Sequence, residues 1–376
     1  TSGQEQGNNL VTIDSHGATI TGNTFAGKTD AWYDALRARG TDTTVTGNTF
    51  DGTNMGAGTN MLEINNSALV GSFTNLIANN VWNNGSAWVG HAIAGVNYVF
   101  RGIQNAITGA TAGETVNVGQ GTYNEALNIS KSVDIEGAGV GRTIIQPTTL
   151  LSTGVGHKYD SNVQTAVYVH DTDGVTLNGL TIDANNLGAN AVVFWNNASG
   201  TISNSLIENP MAFSGAQTGQ GLAVDATSGN TSDLTVSNVT FQNWNKNAID
   251  AVTGDGSGAN GGDIVLNVDH STFTGAGDTG TIAQNGILLW EQGGGSVSAT
   301  VDSSAFSDLS YNDPANATAT GVLVYGSPNG SLTVSNSTFD SSVQEYISTA
   351  GDPVYGYSSN EVDATQGNTF GGVTVS

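Results

Sequence analysis

Apolar and polar residues alternate with a period of two through most of this chain, and one phrase of that alternation keeps returning. It appears as "ATITGNTF" ending at Phe25, "TTVTGNTF" at Phe50, "LTVSNVTF" at Phe241 and "LTVSNSTF" at Phe339. Shorter variants end at Trp82, Ile182, Ile207, Phe273, Phe306 and Phe370, and successive spacings within each group run from 25 to 34 residues. Period-two alternation with β-branched residues predicts strands, and the intervening Gly, Asn and Asp predict turns. A recurring unit of this length with two or three short strands predicts an all-β solenoid, a parallel β-helix. Each inward side chain then stacks on its equivalent about 4.8 Å above and below. Asn near the turns is expected to form hydrogen-bonded ladders.

"YVFRGIQNAITGATAGETVNVGQGTY", from Tyr98 to Tyr123, departs from this pattern. Phe100, Ile103, Ala106 and Ile107 fall on one helical face, predicting a short amphipathic helix near 99–109. Strands at "ETVNV" and "SVDIEG" follow. From Val99 to about Pro147 the wording resembles the N-terminal cap of the right-handed parallel β-helix (pectate-lyase-like) superfamily; elsewhere the resemblance lies in period alone. It implies an extracellular protein related to carbohydrate chemistry. Residues 1–97 are therefore expected to be the closing coils of a first β-helix segment, and 98–376 a second segment opened by the helix. The chain is expected to be a processed form or a piece of a tandem array, with neighbouring modules as partners.

Aligning one strand across the second segment gives "AVYVH", "AVVFW", "GLAVD", "AIDAV", "GILLW" and "GVLVY", beginning at Ala166, Ala191, Gly221, Ala248, Gly286 and Gly321. The second and fourth letters are apolar and face in; the third and fifth face out. The fifth column reads His170, Trp195, Asp225, Val252, Trp290 and Tyr325, and the third contains Tyr168 and Asp250. Rings on a solvent face suit stacking on sugars, which makes Tyr168, His170, Trp195, Trp290 and Tyr325 candidate ligand-binding residues. The competing expectation is that a long loop, such as "TGDGSGANGGD" or "YNDPANATAT", folds over the rings.

Charge and composition narrow the chemistry. Only 8 residues are Lys or Arg against 32 Asp or Glu, a net charge of −24. That field repels nucleic acid and anionic membrane, so neither is expected as a partner; a polysaccharide or cell-surface glycan is. An acidic surface suits Ca2+, for which Asp171 and Asp173 in "HDTDG" are the candidate ligands, although the twelfth position of a calcium loop opening at Asp171 holds Ile182 rather than Glu. Cysteine is absent, which excludes disulfides and thiolate chemistry. Asp225 and Asp250 lie on adjacent coils at roughly 8 Å, within the range of about 6.5–9.5 Å for an inverting glycosidase pair, and Glu291 follows Trp290. These three are the candidate catalytic acids. Arg37 and Glu63 share an outward column in the first segment, as a surface salt bridge or as lyase machinery. The R-x-P-x-x-R pattern of pectate lyases and the polygalacturonase motifs are missing. The leading expectation is thus a non-enzymatic extracellular bacterial module of adhesin or surface-layer type; the alternative is a polysaccharide lyase, glycoside hydrolase or epimerase.

Overall fold

The computed structural model describes residues 10–26, 34–53, 55–56, 58–156, 163–188, 190–254, 260–312, 318–325, 329–348, 362–371 and 373–375. Two compact units divide the chain: residues 1–125 with 133–144, and 126–132 with 145–376. The boundary expected at residue 98 falls inside the first unit.

The first unit opens with three coils. The strands Val11–Ile13, Asp34–Ala38 and Asn60–Asn65 pair in parallel, one coil above the next. A second face pairs Thr19–Thr21 with Thr44–Thr46, and a third runs through Thr24–Ala26, Thr49–Asp51 and Val81–Asn83. Phe25, Phe50 and Trp82 are therefore one column, with ring centroids 4.8 and 4.4 Å apart. An amide ladder accompanies it. Asn23 Nδ2 donates to Asn48 Oδ1 at 3.1 Å, and Asn48 Nδ2 donates to Asn80 Oδ1 at 3.0 Å. The third coil also contains a short helix, Phe73–Ala78, capped by the Ser72 hydroxyl, which the period-two reading did not anticipate.

The amphipathic helix forms, but at Ile103–Gly109. Val99 and Phe100, expected inside it, belong to the strand Val96–Phe100, which pairs antiparallel with Asn60–Asn65. The start is set electrostatically. The Glu125 carboxylate accepts from the Ile103 and Gln104 amides at 2.5 and 3.2 Å, satisfying donors that a helix start leaves free. Ile103, Ala106 and Ile107 are buried, as their spacing requires.

The second unit repeats a three-faced coil. One sheet stacks Leu127–Ile129, Gln164–His170, Asn190–Trp195, Leu222–Ala226, Asn247–Thr253, Asn285–Trp290, Thr320–Tyr325 and Glu345–Ser348, every pairing parallel. Ile182, Ile207, Phe241, Phe273, Phe306, Phe339 and Phe370 form a continuous column on another face. Its successive Phe centroids lie 4.6–5.3 Å apart. Two glycines make room for the stack: a Cβ at Gly286 would stand 2.5 Å from the Gly321 carbonyl and 2.8 Å from the Phe306 ring, and one at Gly321 2.6 Å from both the Tyr346 carbonyl and the Phe339 ring. Parallel register, stacked inward columns and short turns make the chain an all-β parallel β-helix solenoid, right-handed as parallel crossovers are.

Candidate functional site

The outward column assembles rung by rung as its letters align. His170 pairs with Trp195, Trp195 with Asp225, Asp225 with Val252, Val252 with Trp290, and Trp290 with Tyr325. Tyr168, Val193, Ala223, Asp250 and Leu288 form the neighbouring column, which begins one coil lower at Asn128.

Much of this face is covered. Leu151–Ser152 turns back antiparallel onto Gln164–Thr165, and Leu151, Val155 and Val163 pack against Tyr168, Val193, Trp195 and Ala223. Trp195 is only 9% exposed and Tyr168 8%. A covering thus exists over these two rings, supplied by Leu151, Val155 and Val163. Residues 255–259 and 313–317, in the two loops expected to cover the face, lie outside the described residues.

The candidate acids are sequestered. Asp225 and Asp250 are each 1% exposed, and Asp250 Oδ2 accepts from Asn247 Nδ2 at 3.1 Å. Glu291, 4% exposed, accepts from the backbone amides of Val297 at 2.8 Å and Asn329 at 2.9 Å, which ties two turns together. Burial, with Asp171 and Asp225 nearby, pushes the Tyr168 hydroxyl up to about 12. Burial lowers the Lys246 ammonium, whose Nζ donates to the Ala283 carbonyl at 2.9 Å.

At the lower end of the column the face opens into a cleft of about 360 Å³, lined by Asn128, Leu151, Ser152, Thr153, Tyr168, His170 and Asp171. Tyr168 and His170 stack with centroids 4.4 Å apart. The imidazole is fixed on both sides: Nε2 lies 2.8 Å from Asn128 Oδ1 and Nδ1 lies 2.7 Å from Asp171 Oδ2. Asp171 holds φ at 53°, a left-handed turn that aims its carboxylate back at the ring. Asn128 escaped the sequence reading because the alignment stopped one coil short; extending it to "LNI" finds the residue. Farther along, the half-buried Trp290 and Tyr325 pair at 5.3 Å and 35°. No three His, Asp or Glu side chains converge as metal ligands among the described residues, and Asp173 stands exposed apart from the cleft lining.

A second polar cluster lies in the first unit. Thr12, Arg37, Glu63 and Tyr98 occupy successive rungs. Arg37 Nε donates to Glu63 Oε1 at 2.6 Å and lies 3.6 Å from Asp34 Oδ2, while Asn60 Nδ2 donates to Asp34 Oδ1 at 2.8 Å. One guanidinium thus serves two carboxylates, both under 10% exposed. Burial chiefly, with Glu63 adding, pushes the Asp34 carboxyl up to about 6. Sequence reading found Arg37 and Glu63 but missed Asp34, whose burial depends on the next coil.

No family model and no curated protein matches the chain. Solved structures similar to it include a pectin methylesterase from Erwinia chrysanthemi, at 13% identity over 73% of this chain and 86% of that one, with a TM-score of 0.39. An alginate lyase from Paenibacillus sp. str. FPU-7 is similar at 16% identity over 70% and 96%, TM-score 0.32. An exopolygalacturonase from Yersinia enterocolitica is similar at 13% over 92% and 73%, TM-score 0.27.

Proposed function

We propose that the chain is an extracellular β-helix module of structural or adhesive type that binds carbohydrate through the outward column of its second unit, with neighbouring modules of an array as further partners. The observation carrying this reading is the pair of ring platforms on that column, His170 at the cleft with the buried Tyr168 ring stacked against it, and the half-buried Trp290–Tyr325 pair four rungs away. Rings of this kind present flat apolar faces beside hydrogen-bonding edges, the combination a pyranose requires. The acids that hydrolysis would need on the same face are buried or committed to backbone amides. A glycan array tests the reading, with binding expected to fall on His170→Ala and Trp290→Ala. Turnover of any polysaccharide in a reducing-end or unsaturated-product assay overturns the non-enzymatic part.

One observation favours a carbohydrate-active enzyme instead. A carboxyl near 6, beside a second carboxylate and a guanidinium, has the proton affinity that general acid–base catalysis uses. On that reading Asp34 is the acid and Glu63 its partner, and Asp34→Asn abolishes any turnover detected.

A further inference from the structure

We infer that the Asn128–Tyr168–His170 cleft selects uncharged sugars and turns away polyanionic ones, a specificity that rests on the glycan-binding reading above. The second unit, residues 126–132 with 145–376, holds 21 Asp or Glu against three lysines, Lys131, Lys158 and Lys246, a net charge of −18. Lys246 is turned inward onto the Ala283 carbonyl. Among the described residues no Lys or Arg lines the cleft, and the Asp171 carboxylate, 70% exposed, stands at its rim beside the His170 ring. A sugar carboxylate or sulfate entering here would meet like charge, with no guanidinium or ammonium among the described lining residues to receive it.

The rest of the lining suits a neutral ring. His170, backed by the stacked Tyr168 ring, and the half-buried Leu151 supply apolar surface for the C–H face of a pyranose. The Asn128 amide and the Ser152 and Thr153 hydroxyls are polar but uncharged. The Asp171 carboxylate accepts readily from sugar hydroxyls, so the group that repels an anion attracts a polyol. The size of the discrimination follows from Coulomb's law. A second carboxylate about 6 Å from Asp171, at an effective dielectric of about 40, costs about tenfold in affinity for the one charged sugar residue seated in the cleft. The distributed charge of the unit adds to this at low salt and is screened at high salt.

The probes are a neutral β-glucan and a neutral galactan against polygalacturonate and heparin, measured by affinity electrophoresis and calorimetry on the full chain at low and high salt. The wild type is expected to bind a neutral polymer and to ignore both polyanions at low salt. His170→Ala and Asn128→Ala should each weaken neutral binding about tenfold while circular dichroism and melting remain those of the wild type. Asp171→Asn, which the left-handed turn accommodates, should raise affinity for polygalacturonate about tenfold while weakening neutral binding, so that the preference for the neutral polymer shrinks; an unchanged preference overturns the inference. Polyanion binding equal to or tighter than neutral binding at low salt overturns the inference and leaves glycan binding standing. So does neutral binding that neither His170→Ala nor Asn128→Ala alters. If no polymer of either class binds, the glycan-binding reading itself falls.

Discussion

Replacing Asp34 by Asn should remove a pH dependence from the first unit. Unfolded, the Asp34 carboxyl titrates near 3.8; folded, burial beside Glu63 holds it near 6. Below 3.8 both states carry the proton and its contribution to stability is fully present. Between 3.8 and 6 the folded state binds more protons than the unfolded one, so stability falls as pH rises. Above 6 the contribution is gone. A rise from 3.8 to about 6 corresponds to about 3 kcal/mol, which water at the partly exposed Arg37 edge screens to about 1–2 kcal/mol. About 1 kcal/mol of this lies between pH 4.5 and pH 8, or about 3–5 °C in melting temperature for a unit of this size. Asparagine keeps the acceptor for Asn60 and leaves the Arg37–Glu63 pair intact but has no proton to lose. Calorimetry at the two pH values should therefore show the wild type losing about 3–5 °C more than Asp34→Asn, with the variant the more stable at pH 8. Equal pH slopes in the two proteins, or a steeper one in the variant, would refute the account of a carboxyl raised by burial.

Three further outcomes follow from the coils. Phe306→Ala removes a fully buried ring stacked at 4.6 Å on both Phe273 and Phe339, and should cost about 3–5 kcal/mol in urea unfolding. Glu291→Ala strands two backbone amides and should cost about 2–3 kcal/mol without altering glycan binding; a selective loss of binding would refute this structural role. Ser303 sits at φ 49° between His270 and Asn336, with Asn238 one rung further on, all four left-handed, so Ser303→Asn should raise the urea midpoint by the equivalent of about 0.5–1 kcal/mol.

The strand columns were legible because each side chain's face follows from its parity along a strand. "AVYVH" against "AVVFW" gives the observed pairing of His170 with Trp195 letter for letter. Parity cannot say what lies above an outward face. In sequence Leu151, Val155 and Val163 belong to a Gly- and Ser-containing stretch that reads like any other connection, yet they pack against Trp195. The helix was placed early because Phe100 satisfies both the helical stripe and the alternation of Val96–Phe100. The pairing with Asn60–Asn65, and a carboxylate 22 residues downstream at Glu125, decide in favour of the strand. Asp34 was invisible for the same reason, since its neighbours Asn60 and Glu63 arrive a full coil later.

Coils whose lengths differ by as much as nine residues, 25 against 34, still stack the same column from Ile182 to Phe370. All the variation is absorbed at the corners, where a residue added or lost leaves both flanking strands in phase. The same change within a strand would swap core for surface along the remainder of that strand. Corners are accordingly where this scaffold can acquire new peptide at little thermodynamic cost, and where grafted sequences would be presented at regular intervals without disturbing the stack beneath.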